Sequence, residues 1–280
     1  MKLVRFGEKG REKPGLVDAD GTVRDASSVT ADYAGETLGL AAIEALKKID
    51  PSSLPSVPSG TRIGPCIAYP GHFIAVGLNF SDHAEETGNP IPEEPVLFSK
   101  APSCLSGPND DVVLPPGSVK TDWEVELAFV IGKDGYRISK EDALSHVSGY
   151  CICNDVSERA WQNEGTGQWI KGKSAPTFGP LGPWLVTPDE VGDVNNLAMF
   201  LDVNGERMQT GSTKTFIFDV ETLISFMSHR FALRTGDLVT TGTPPGVGLG
   251  MKPPKFLKPG DEMHLGIAGL GEQRQKVTGG

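Results

Sequence analysis

The run Thr121-Asp122-Trp123-Glu124-Val125-Glu126-Leu127-Ala128-Phe129-Val130-Ile131 sets two acids one residue apart in an otherwise apolar stretch. On a strand, side chains alternate faces, so Glu124, Glu126 and Ala128 point one way. An isolated E-x-E usually faces solvent. Here Ala128, Val130 and Gly132 continue the acidic face without solvating it, while Trp123, Val125, Leu127 and Phe129 fill the other. A strand apolar on both faces is an interior strand. Two carboxylates in an interior repel each other unless they are protonated or neutralised. A divalent cation neutralises them, and hard oxygen donors favour Mg²⁺, Mn²⁺ or Ca²⁺ over zinc. A third donor is available in Asp155, which ends the apolar run Cys151-Ile152-Cys153-Asn154. That aspartate has a competing use as the N-cap of a helix over the polar residues Ser157 to Gln162.

A second segment, Gly77-Leu78-Asn79-Phe80-Ser81-Asp82-His83-Ala84-Glu85-Glu86-Thr87-Gly88, reads as a short helix with Ser81 or Asp82 as cap and Gly88 as stop. His83 and Glu86 then lie at i and i+3 on one face. A carboxylate beside an imidazole orients the ring and raises its basicity, which suits a general base; a surface His–Glu pair is the plainer alternative. Two glycine-rich stretches, Gln168 to Pro183 and Thr240 to Gly248, could present Lys173 and Thr243 to an anion. Neither fits a phosphate-binding or dinucleotide-binding loop, and no G-x-S-x-G elbow is present.

The elements that must position these residues are short. Glycine and proline number 35 and 22 of 280 residues, which favours turns and brief strands over long helices. Strands are expected at Leu3–Phe6, across the Asp/Gly turn of Gly15–Val23, and at residues 74–78, 123–131, 147–154, 237–241 and 263–267. Asn204-Gly205 marks a tight hairpin within 197–208. Helical spacing predicts helices over Thr37–Ile49 and Val220–Phe231. Five prolines between Pro51 and Pro70 make that stretch a linker or an extended wrap.

The net charge of −10, without any Lys/Arg-rich run, argues against a nucleic-acid or anionic-membrane partner. Cys66, Cys104, Cys151 and Cys153 show no metal-binding spacing. Met1 to Glu8 lacks the apolar core of a signal peptide, and no stretch reaches the ~18 apolar residues that span a bilayer. A reduced, cytoplasmic protein is expected.

In order, GLNFSDHAEE (77–86), PVLFSKAPSCLSGP (95–108), DWEVELAFVIGK (122–133), GYCICNDVSERAWQ (149–162), GKSAPTFGPLGP (172–183) and TGTPPGVG (241–248) resemble the fumarylacetoacetate hydrolase family over about residues 70–270. The resemblance implies a β-rich α+β fold: a rolled mixed sheet around a metal site in residues 66–280, after a small N-terminal α+β domain and linker in residues 1–65. It implies Mg²⁺ or Mn²⁺ on Glu124, Glu126 and Asp155, a catalytic His83–Glu86 dyad with Lys173, and Gln162 and Thr243 on the substrate. A homodimer is expected. Two departures stand out. Leu78 occupies a position where many acylpyruvate hydrolases carry arginine, and Ser174-Ala175-Pro176 replaces the usual S-F-D. The implied activity is metal-dependent hydrolysis of a carbon–carbon bond in a small anionic 2,4-dioxo acid, giving pyruvate and a second acid. Among members, bacterial hydrolases of 2,4-diketo-3-deoxy sugar acids of the rhamnonate or fuconate type are the nearest in appearance. The same scaffold suits isomerisation of a 2-hydroxy-diene-dioate, decarboxylation of oxaloacetate or ureidoglycolate lysis, and a non-catalytic binding protein is the rival of another class.

Overall fold

The computed structural model describes residues 1–82 and 91–280. The fold is sheet-rich α+β. Val125–Ile131, buried at every position, is the centre of a ten-stranded mixed sheet. It pairs antiparallel with Val147–Asn154 on one side and with Leu238–Thr240 on the other. Leu238–Thr240 runs parallel to Phe73–Gly77, and Val96–Ser99 closes that edge. In the other direction Gly179–Val186 follows Val147–Asn154, and the N-terminal strand Lys2–Phe6 pairs with it. The first strands of the chain therefore extend the main sheet.

Both strands at the centre have apolar side chains on the two faces because both faces are covered. One cover is a five-stranded sheet in the order Glu206–Ser212, Ala198–Val203, Glu262–Ile267, Gly271–Gly279, Val112–Leu114. Three buried glutamines stitch the layers together. Gln209 accepts the Val125 N–H at 3.0 Å and donates from Nε2 to the Thr243 hydroxyl and the Pro244 carbonyl, each at 2.8 Å. Gln273 donates to the Ile152 and Gly182 carbonyls at 2.9 Å, beside the register shift between Tyr150 and Ile152. Gln275 donates to Gln273 and to the Pro108 carbonyl. Amide side chains do this work because each carries both a donor and an acceptor for backbone groups the ladder leaves open.

The hairpin at Asn204-Gly205 forms between Ala198–Val203 and Glu206–Ser212, with φ of 52° and 78° at the two turn residues as a tight primed turn requires. The helix expected over Thr37–Ile49 is broken instead. A 3₁₀ turn at Gly35–Leu38 and a helix at Leu40–Leu46 meet at an extended Gly39, because the Leu40 N–H is drawn to the Gly132 carbonyl at 2.9 Å at the end of the central strand. The helix Val220–Ser228, capped by Asp219, stops three residues short of Phe231, where the Ser228 hydroxyl and carbonyl accept the N–H groups of Ile138 and Arg137. No helix among the described residues is long and apolar enough to cross a membrane.

Gln209→Leu keeps the volume but strands the Val125 N–H and the Pro244 carbonyl in the interior. The expected loss is on the order of 1–3 kcal/mol, read as a lower denaturant midpoint with unchanged slope.

Candidate metal centre and active site

The central pair of strands ends in a charged cluster. In the antiparallel register Cys153 faces Glu126 and Asn154 faces Val125, and one step further the Asp155 N–H donates to the Glu124 carbonyl at 2.9 Å. Asp155 is thus directly opposite Glu124 and diagonal to Glu126, the two closest relations that a sheet face offers. Residues 31 positions apart in sequence become neighbours through one register. Glu124 itself lies just before the strand proper, held extended by the Asn154 side chain, which accepts its N–H at 3.1 Å. Donor oxygens of Glu124, Glu126 and Asp155 all lie within 4.8 Å of one another, and all three residues are buried.

Asp155 does not cap a helix. Ser157–Glu158 pairs with Thr121–Asp122, and the helix that follows, Arg159–Asn163, is capped by Glu158 through the Ala160 N–H. The carboxylate of Asp155 is free to face two lysines. Lys173 Nζ bridges Glu124 Oε2 at 2.6 Å and Asp155 Oδ2 at 2.7 Å. Lys100 Nζ donates to Asp155 Oδ1 at 2.5 Å, to the Phe178 carbonyl at 3.0 Å and to the Lys173 carbonyl. Arg159 pairs with Glu124 at 2.6 Å, with Asp122 at 2.8 Å and with the Gln162 amide oxygen at 2.9 Å. Asp122 also accepts the N–H groups of Gly248 and Leu249, tying the arginine to a loop that walls the cavity.

Glycines bring the backbone close where the cluster demands it. A Cβ on Gly172 would fall 2.4 Å from the Gln162 nitrogen, so only glycine lets the turn bearing Lys173 pack on the helix bearing Arg159 and Gln162. Gly242, at φ +92°, aims its N–H at Glu126 Oε2 from 3.0 Å.

Sequence reasoning named Glu124, Glu126, Asp155 and Lys173, and the fold places all four together. Gln162 and Thr243 line the same cavity. The Thr243 hydroxyl already donates to the Val125 carbonyl at 2.9 Å and accepts from Gln209, so its proton serves the sheet rather than a ligand. Gln162 keeps its NH₂ end for one. His83 and Glu86 lie outside the described residues. Lys100, Arg159 and Asp122 went unnoticed. The signal available for the first two was a cation within or next to an apolar motif, each too short to distinguish from a surface residue.

Electrostatics divides the three acids. Burial pushes the Glu124 carboxyl up, but Lys173 and Arg159 outweigh it and hold the group below the usual carboxylate range. Burial pushes Glu126 well above that range, and the charges of Asp155 and Glu124 push it further. Burial would strip Lys100 of its proton, but the Asp155 carboxylate overcomes this and raises its pKa. Four carboxylates and three cations share the cluster, so a proton on Glu126 brings the metal-free cluster to neutrality. The donor set fits a hard divalent cation: oxygen ligands only, convergent, with one carboxylate, Glu126, that forms no side-chain ion pair among the described residues. The cavity beside them has a volume of about 370 Å³.

Because burial and the neighbouring carboxylates raise its pKa, Glu126 is the member on which a proton would compete with a divalent cation. Affinity is expected to rise with pH through the range above the ordinary carboxylate pKa. Near neutral pH, calorimetry in buffers of different ionisation enthalpy should register proton release on metal binding. Affinity independent of pH between 5 and about 8 would contradict the assignment of that proton.

Residues 72–278 match the family described as fumarylacetoacetate (FAA) hydrolase, C-terminal. A protein of Burkholderia ambifaria (strain MC40-6), whose name specifies no substrate, is 53% identical over 278 residues, covering 99% of both chains. Among solved structures, fumarylacetoacetate hydrolase from Exiguobacterium antarcticum aligns over 100% of both chains at 36% identity and TM-score 0.87. Maleylpyruvate hydrolase from Sphingobium sp. SYK-6, in complex with manganese(II) and pyruvate, aligns over 100% of both at 29% identity and TM-score 0.80. 5-Carboxymethyl-2-hydroxymuconate delta-isomerase from Mycobacterium smegmatis aligns over 100% of this chain and 99% of its own at 30% identity and TM-score 0.79. With the match spanning most of the sequence and the fold shared end to end, the chain belongs to the fumarylacetoacetate hydrolase family.

Proposed function

We propose that this protein is a Mg²⁺- or Mn²⁺-dependent hydrolase that cleaves the C3–C4 bond of a 2,4-dioxo acid to give pyruvate and a second carboxylic acid. The observation that carries the reading is the convergence of Glu124, Glu126 and Asp155 at a cavity also lined by Lys173, Arg159 and Gln162. The relative that holds manganese and pyruvate supports the same ligand chemistry.

When bound on those carboxylates, the divalent ion supplies a Lewis acid beside the 1-carboxylate and 2-oxo group of the substrate. The protein's own residues do the rest. His83, the base that the family resemblance assigns together with Glu86, would take a proton from water as the oxygen attacks C4. The C3–C4 pair of electrons leaves with C3 as the enolate of pyruvate. Lys173 and Arg159, preorganised and desolvated, stabilise that developing charge, and the Gln162 NH₂ is positioned to donate to an oxygen. Protonation of C3 completes pyruvate, and C4 leaves as the second acid. Atoms balance with one water consumed.

Isomerisation of a 2-hydroxy-diene-dioate is the second reading, favoured by the isomerase of the same fold. It uses the same chelating end of the substrate but moves a proton and a double bond without incorporating water. The retained His83–Glu86 pair, which hydrolysis needs, tilts the reading toward hydrolysis. A homodimer in the cytoplasm completes the proposal.

Turnover of an acylpyruvate in ¹⁸O water should place label in the acid product. His83→Ala and Glu124→Ala should each lower pyruvate release by about 100-fold or more. Near-wild-type rates in either variant, or an unlabelled acid, would end the hydrolytic mechanism.

A further inference from the structure

The cavity is chemically one-sided. Its charged groups, Glu124, Glu126, Arg159 and Lys173, belong to the carboxylate cluster. Beside Gln162, Asn163, Thr243 and three glycines, the rest of the described wall is Val76, Leu78, Phe98, Trp169, Val247 and Leu249. The two rings pack edge to face at 5.2 Å, and the Trp169 ring lies where a Cβ on Gly77 would be, 2.5 Å away, so this wall is closely packed. Among the described residues, Arg159 and Lys173 are the only cationic side chains lining the cavity, and both are already engaged by Glu124, Asp122 or Asp155.

Charge balance gives the same answer as shape. With all four carboxylates ionised, Lys100, Arg159 and Lys173 leave the cluster one negative charge in excess. A divalent cation turns that into one positive charge, which a single substrate carboxylate neutralises. Among the described residues, a second carboxylate on the far end of the substrate would find apolar wall and no counter-charge, and an unpaired buried charge is among the most costly things to place in a protein.

We propose that the acyl end of the substrate is uncharged and mostly carbon, so that the enzyme selects monocarboxylic dioxo acids and rejects dicarboxylic ones. This rests on the dioxo-acid reading above and adds its specificity. A hydrocarbon tail falls within the class. A tail ending in a carboxylate falls outside it.

Two matched pairs test the inference on the full-length, Mg²⁺-loaded protein. The first pair, 2,4-dioxoheptanoate and 2,4-dioxoheptanedioate, differs only in the terminal carboxylate. The monocarboxylate is expected to show kcat/KM higher by about 100-fold or more. Equal or inverted values would overturn the inference while leaving the hydrolase reading intact. The second pair, 2-oxoheptanoate and 2-oxoheptanedioate, lacks the 4-oxo carbon, so its binding can be measured by calorimetry without turnover. If neither dioxo acid is cleaved, the hydrolase reading fails and this binding pair still decides. Tighter binding of 2-oxoheptanoate supports the inference, and equal, inverted or absent binding overturns it. Leu249 lines the cavity and is 42% exposed, so a lysine is tolerated there without burial of its charge. Leu249→Lys should shrink the preference in the binding pair at least about tenfold. A preference that the new charge does not move would refute the charge-based explanation.

Discussion

Placing two carboxylates directly across an antiparallel ladder is ordinarily destabilising, because the side chains of an opposed pair are as close as a sheet permits. Glu124 and Asp155 are such a pair, buried, with Glu126 on the diagonal. Much of the surrounding architecture follows from making that placement tolerable. Lys173 bridges the opposed pair, Lys100 holds the outer oxygen of Asp155, and Arg159 holds the outer oxygen of Glu124. Each cation comes from a different segment, so the sheet, the turn at Gly172 and the loop at Gly248 must all be in register for the cluster to form. Among the described residues Glu126 accepts an N–H from Gly242 and forms no side-chain ion pair, so it keeps its charge problem. That residual imbalance is one that a divalent ion would resolve.

The parts of this arrangement legible in the sequence were those that a local rule could carry. Alternation along residues 123–131 put Glu124 and Glu126 on one face, and apolar neighbours on both faces marked the strand as interior. Asn204-Gly205 announced its hairpin by turn chemistry alone. Asp155 could be nominated but not placed, since cap and ligand look alike until the register of two strands is known. Lys100 and Arg159 were invisible for a related reason. A lysine after four exposed or half-exposed strand residues looks like a surface charge, and only the tertiary fold shows Lys100 1% exposed, with its ammonium on Asp155. The break at Gly39 is another tertiary decision, made by one hydrogen bond to Gly132 that outweighs a helical pattern.

The two functions of the site are borne by different kinds of structure. The oxygens that could hold a metal sit at the ends of fully buried strands, where neighbouring ladders and three glutamine cross-links fix the backbone. The wall that meets the far end of a substrate is drawn largely from loops and short turns: Leu78 after its strand, Trp169 before a four-residue helix, and Val247 and Leu249 in the Gly-rich stretch. A change in the wall leaves the cluster untouched, whereas a change in the cluster is felt through every cation that balances it. Hydrolases and an isomerase share this fold, as that division of labour permits. The chelating end of the substrate is served by rigid, charge-balanced strands, and the distal end by residues that can be exchanged one at a time. In this chain most of the described side chains of that wall are apolar, and on the reading proposed above the cluster with its ion would have one positive charge to offer. The proposed substrate would satisfy the wall by being uncharged there and the cluster by bringing one carboxylate, so one polarity of substrate suits both ends of the cavity.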